Sequence, residues 1–238
     1  MMIRFLVMFF LTISYVNAQV IATDRPSAQT DNSYSLYHKC FQIESGLLYL
    51  HENGIVQPSS LPNLLLRYGL LDKLELRFSS DLLFSLDDNT FSKGSINFGT
   101  KLQLIREENF QLAFLSMASI ENNTQEIMTK IVGANSITEN LTLGYTLGYQ
   151  SASNFYDKTL NYSLFLSNSF GSKFSGFLEL YGDWKYNNID FTYQINFDFG
   201  CSYQLSEVMQ LDTYFGKGIQ NDMYFGSIGF SYLFKNKF

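Results

Sequence analysis

Apolar and polar positions alternate along nearly the whole chain beyond residue 40. A period of two is the pattern of strands that hold one face in each of two environments. From residue 141, Leu141, Leu143, Tyr145, Leu147 and Tyr149 alternate with Thr142, Gly144, Thr146, Gly148 and Gln150. From residue 189, Ile189, Phe191, Tyr193, Ile195, Phe197 and Phe199 alternate with Asp190, Thr192, Gln194, Asn196, Asp198 and Gly200. Period two predicts about twelve strands, near 40–50, 62–70, 73–84, 95–105, 110–120, 126–136, 141–150, 159–168, 174–185, 189–203, 207–216 and 223–235. Each has close to the roughly 9 to 11 residues that a tilted membrane strand needs. A soluble β-sandwich also alternates, but six large apolar side chains on one face are explained more economically by lipid. The expected fold is all-β, a transmembrane antiparallel β-barrel over residues 40–238.

The two ends of the sequence suggest where this barrel resides. Arg4, the apolar run Phe5–Ile13 and the exit Val16-Asn17-Ala18 read as a secretory signal over 1–18, too short for a membrane helix. In the last strand Ile228, Phe230, Tyr232 and Phe234 alternate with Ser227, Gly229, Ser231 and Leu233, and Phe238 ends the chain. A terminal aromatic of this kind is read by the outer-membrane assembly machinery. The expected location is the bacterial outer membrane, with the lipid bilayer as first partner.

Spacing between strands gives an orientation. Links such as Leu71–Lys73 and Gln204–Ser206 are tight, whereas His51–Leu61, Ser85–Gly94 and Ser151–Lys158 are longer, as expected of inner turns and outer loops. Tyr49, Phe84, Tyr149 and Trp184 then fall at the outer ends of their strands and Tyr68, Phe110, Tyr203 and Phe234 at the inner ends. Two such rings are the aromatic girdles of a barrel.

Composition narrows the classes. Aromatic residues make up 17%, with 23 Phe, 16 Tyr and only three Pro, which suits many strands joined by polar turns. The net charge of −6 and the absence of a basic run argue against nucleic acid as a partner. Cys40 and Cys201 fall on opposite faces of their strands, which disfavours a disulfide.

The polar parity places Glu44, Arg67, Glu75, Arg77, Asp81, Lys101, Lys130, Glu179, Asp183, Asp198 and Asp212 inside the barrel. Charges of mixed sign in a lumen either satisfy one another and stiffen the wall or form a polar constriction. The small interior residues Gly144, Thr146 and Gly148 favour some free volume.

Residues 21–32, Ile-Ala-Thr-Asp-Arg-Pro-Ser-Ala-Gln-Thr-Asp-Asn, have no periodicity. The runs Thr23-Asp24-Arg25-Pro26, Gln29-Thr30-Asp31, Phe41–Gly46, Asn63–Leu70 and Leu74–Arg77 resemble the opening third of the outer-membrane transporter-like family grouped as meta-pathway of phenol degradation. At Lys39-Cys40 the chain departs from the glycine-containing approach of that pattern. The resemblance implies a barrel that transports small solutes, hydrophobic or aromatic ones among them. Asp24, Arg25 and Pro26 beside a charged lumen suggest that residues 19–39 form a plug, the alternative being a flexible periplasmic tail. In the plug arrangement Arg25 meets Glu44 or Glu75, Asp24 meets Arg67 or Arg77, and Pro26 stiffens the turn.

The alternatives are a structural or adhesive barrel with a blocked lumen and, less favoured, a lipid-modifying enzyme. Only His38 and His51 could serve a catalytic triad; they flank the first strand, and Ser59 or Ser60 beside His51 has no motif behind it. No His, Cys and carboxylate cluster has metal-ligand spacing, and Asp87-Asp88 read as a solvated loop. No catalytic residue, metal or cofactor is expected.

Overall fold

The structure is a computed structural model that describes residues 21–24, 29–85, 89–121, 124–153, 157–187 and 190–235. The segment 1–18, Arg25, Pro26, Asp87, Asp88, Ile189 and Phe238 lie outside the described residues. Twelve strands follow in order: β1 Phe41–Glu52, β2 Ile55–Leu71, β3 Leu74–Ser85, β4 Thr90–Arg106, β5 Phe110–Glu121, β6 Thr124–Ser136, β7 Leu141–Ala152, β8 Lys158–Ser169, β9 Phe174–Tyr186, β10 Phe191–Ser206, β11 Met209–Gly218 and β12 Met223–Phe234. Each pairs antiparallel with its sequence neighbours, and β1 closes on β12 from Phe41 opposite Phe234 to Glu52 opposite Met223. Closure leaves no unpaired edge, the condition for a sheet in hydrocarbon.

The two faces are inverted relative to a soluble protein. Ile228, Leu147 and Phe215 are each more than half exposed on the outside, whereas Arg67, Glu44, Glu75, Lys101 and Asp198 are fully buried inside. The exposed apolar surface matches a bilayer, which makes this a barrel of the bacterial outer membrane. Tyr49, Tyr149 and Trp184 are exposed toward the outer end, and Tyr68, Tyr203 and Phe234 toward the inner end. Phe84 is half-buried because its ring leans on Phe91, 4.8 Å between centroids.

Loop lengths differ from expectation. The stretch 51–61 is not a loop: β1 and β2 meet in the two-residue turn Asn53-Gly54, and β4 likewise begins at Thr90 rather than beyond Gly94. Asn53 and Gly54 have φ of 54° and 78°, the left-handed pair that a tight hairpin turn demands and that Asn-Gly supplies. What disguised β2 is Pro58 and Pro62. Neither proline can donate to the ladder, and the β1–β2 register shifts twice, between Gly46 and Leu48 and between Leu48 and Leu50, each time with one extra residue on β2. Such bulges accommodate prolines in a strand and break the alternation that marks it. Both cysteines are free.

Candidate functional site

The described parts of residues 21–40 run inside the lumen as a strap, entering at the end where β1 begins. Its entry is a tight crossing. Lys39 N donates to Gly69 O at 2.7 Å and Gly69 N to Cys40 O at 2.9 Å, and a Cβ on Gly69 would collide with the Tyr37 carbonyl. Lys39 itself has φ 60°, a left-handed conformation that glycine adopts without steric cost. The glycine missing from the sequence pattern there therefore has a conformational meaning. Gly69→Ala is expected to dislodge the strap entry, seen as faster trypsin cleavage after Lys39 in the folded barrel.

The centre of the site is Asp24. Its carboxylate meets Arg77 Nη1 at 2.6 Å, Arg67 Nη2 at 3.4 Å and the Lys101 ammonium, and its backbone N donates to Glu44 Oε2 at 2.7 Å. The backbone N of Asn32 also donates to this carboxylate, which folds the strap back on itself. Arg67 is the hub on the wall. It donates from Nε and Nη2 to the two oxygens of Glu75, at 2.7 and 2.9 Å, and from Nη1 to Glu44 at 3.0 Å. It also holds the strap carbonyls of Ala22 and Tyr34, at 2.5 and 3.1 Å. Lys130 meets Asp31 at 2.7 Å, with Arg77 3.4 Å from the same carboxylate.

The arrangement balances charge. Within the ion-pair network of β1 to β6, Arg67 and Arg77 meet Glu44 and Glu75 of the wall, and Asp24 and Asp31 of the strap supply two further carboxylates, to Arg67, Arg77, Lys101 and Lys130. Isolated buried cations of this number would be prohibitively desolvated, so wall and strap complete one another.

Further contacts tie the strap to both sides of the barrel. Leu36 N donates to Glu75 at 2.8 Å, Ser35 N to Gln103 at 2.7 Å and Ser33 Oγ to Gln111 at 3.1 Å. Arg106 donates to Ser35 O at 2.8 Å and lies over the Tyr37 ring at 4.3 Å. On the opposite wall Gln29 N and Thr30 N donate to Glu179 on β9, at 3.1 and 2.6 Å. The strap thereby separates a cavity of about 560 Å³ at the inner end, lined by Thr30, Asn32 and Gly144, from two of about 330 and 250 Å³ at the outer end, both bordered by Gln29.

Of the residues singled out from the sequence, Asp24, Glu44, Arg67, Glu75 and Arg77 come together here. Asp81 does not join them; it lines the 330 Å³ cavity on the outer side of the strap. Glu44 and Glu75 are engaged by Arg67; their expected pairing with Arg25 lies outside the described residues. Lys101 as a partner of Asp24, Asp31 with Lys130, and the Glu179 latch were not anticipated. Their lumen parity and the acidic Asp31 were visible, but register across the barrel was not.

Burial opposes ionisation of Asp24, yet Arg67, Lys101 and Arg77 overcome it and hold the carboxyl well below the usual carboxylate range. Asp31, opposed by burial and by Asp24, is lowered by Lys130, Arg77 and Lys101. A depressed carboxyl stabilises docking at every pH above its ordinary value, about 3.9, and the contribution is lost only as pH falls through the lowered value. The contribution of Asp24 and Asp31 to docking is therefore expected to be as large at pH 5 as at pH 7, so that Asp24→Asn changes the unitary conductance in bilayer recordings by the same factor at the two values.

The polar groups of the site bind the strap to the barrel wall. The His51 ring stacks at 4.4 Å on exposed Tyr224, while Ser60 pairs with Leu48 and Ser59 with Phe84. His38 Nδ1 lies 2.8 Å from Leu70 O at the inner end. Among the described residues no cluster of His, Cys, Asp and Glu could hold a metal ion.

A closed twelve-strand barrel with a charged, strap-bearing lumen belongs to the outer-membrane barrels. The chain is a member of the family described as "Putative MetA-pathway of phenol degradation", whose model matches residues 23–234. No curated protein sequence matches it. Among solved structures it is similar to an outer-membrane channel from Pseudomonas putida F1, with 12% identity, TM-score 0.68, and 87% of this chain and 100% of that one covered. It is also similar to the NanC porin (10%, TM-score 0.62, 81% and 98% covered) and to the KdgM porin in complex with disordered oligogalacturonate (11%, TM-score 0.61, 81% and 99% covered). At these identities the likeness is one of fold.

Proposed function

We propose that the protein is a passive outer-membrane channel for small solutes, hydrophobic or aromatic ones among them, in which residues 19–39 act as a plug. The observation that carries this reading is the strap crossing the lumen between cavities, pinned by Asp24 between Arg67, Arg77 and Lys101. Twelve strands lie between the roughly eight that side chains fill and the roughly sixteen that leave an open aqueous channel. A removable segment is what sets the bore at this size. The protein acts without catalysis, and Phe238 serves recognition by the assembly machinery.

Liposome flux of small neutral and charged solutes tests the reading, comparing the whole chain with a variant lacking residues 19–38. Flux that rises on deletion supports a plugged channel. Absence of flux from both forms would leave a structural or adhesive barrel with a blocked lumen.

A further inference from the structure

Not all of the lumen is polar. On the wall away from the cationic cluster, Tyr181, Tyr214, Met223 and Phe225 are buried together, with Leu48, Leu50 and Phe177 packed against them. Barrel interiors are ordinarily polar, so an apolar patch inside one requires an occupant or a role. Part of this patch, Leu48, Leu50, Tyr181, Met223 and Phe225, lines the 250 Å³ cavity at the outer side of the strap.

The polar groups around that cavity have one character. Asp183 and Glu52 border it with Asn161, Asn196 and the strap residue Gln29, and no Lys or Arg lines it among the described residues. The side-chain oxygen of Asn196, a residue only 3% exposed, has no hydrogen-bond partner there. Lys185 approaches Asp183 at 3.8 Å but is itself 54% exposed, so solvent screens most of its charge. The cavity thus combines aromatic faces, an unsatisfied buried acceptor and carboxylate charge.

From this we infer that the outer cavity is a binding site for small organic ammonium compounds carrying an aromatic or apolar body. An ammonium group suits aromatic faces and carboxylates at once, through cation–π attraction and charge-assisted hydrogen bonds. A cavity of about 150 Å³ holds benzene, so 250 Å³ accepts a single ring with a short substituent. Asp183 and Asn196 hold the ammonium, and Tyr181 and Phe225 hold the ring. Carboxylate solutes of the same shape are disfavoured by the charge of Asp183 and Glu52. The site deepens the channel reading, because a solute held there lies against Gln29, next to the latch on Glu179.

Calorimetric titration of the purified whole barrel in detergent tests this with 2-phenylethylammonium, 2-phenylethanol and phenylacetate. The ammonium compound is expected to bind at least about tenfold more tightly than phenylacetate. Asp183→Asn is expected to reduce that preference while leaving 2-phenylethanol binding unchanged, and Phe225→Ala to weaken all three. If Asp183→Asn does not reach the heat-modifiable folded form on gels, Glu52→Gln at the mouth serves the same comparison. Equal or tighter binding of phenylacetate would overturn the proposal, as would no binding of any probe by a preparation that conducts in bilayers. Ammonium binding without conductance would overturn the channel reading and leave the site standing.

Discussion

Replacing Asp24 by Asn is expected to open the lumen. The substitution keeps shape and removes the charge that Arg67, Arg77 and Lys101 share. Breaking one partner of a buried ionic cluster costs about 3–5 kcal/mol, because the remaining charges stay desolvated and uncompensated. Here the strap carries that cost, since the wall strands are held by their own ladders. A change of this size moves the docking equilibrium toward the undocked strap by a factor of hundreds or more, on the scale of about 1.4 kcal/mol per tenfold. Bilayer recordings should show a larger unitary conductance in Asp24→Asn, larger again in the double variant with Asp31→Asn, and protease cleavage within residues 29–39 should accelerate. Unchanged conductance and cleavage in both variants would mean that the strap is not the barrier.

The second large effect concerns the barrel itself. Arg67→Lys is expected to fail where an exchange of like charges elsewhere would pass. Arg67 bonds both oxygens of Glu75, one of Glu44 and two strap carbonyls, a planar fork that an ammonium cannot reproduce. Arg67→Met goes further, leaving Glu44, Glu75 and Asp24 crowded without their common partner. The yield of heat-modifiable folded barrel should fall steeply for Arg67→Met and measurably for Arg67→Lys. The combined Arg67→Met, Glu75→Gln variant should recover part of it, since removing both members of a buried pair is far less damaging than removing one. Absence of any recovery would show that Arg67 acts through packing rather than charge.

How much of this was legible in the chain depends on the kind of information. Strand number and facing were legible because lipid on one side and water on the other impose strict alternation, as in β7, where Leu147 and Gly148 fall on different faces. The bounds of β2 were not, since Pro58 and Pro62 interrupt the alternation where the bulges absorb them. The Asn53-Gly54 turn was the available signal for the true hairpin, and the spacing of apolar residues drew attention away from it. At the site, parity could assemble a set of interior charges but not match them. Lys101 meets Asp24 only because β4 stands beside β3 with Lys101 opposite Glu75, and Glu179 meets Thr30 only because the strap crosses the full lumen. Distances across a barrel follow from its closure and shear, which no local pattern encodes.

The strap is bound to its own barrel through the Lys39–Gly69 crossing, and that attachment dictates how the passage behaves in time. With β1 closed on β12, a released strap leaves lengthwise through the mouth yet stays tethered there. About 15 residues between Asp24 and Lys39 reach roughly 50 Å when extended, enough to clear the mouth. They also keep Asp24 at an effective concentration in the millimolar range near its partners. Rebinding is therefore intramolecular, and if the strap is the plug proposed above, bilayer recordings are expected to show brief, recurrent openings rather than one lasting open state.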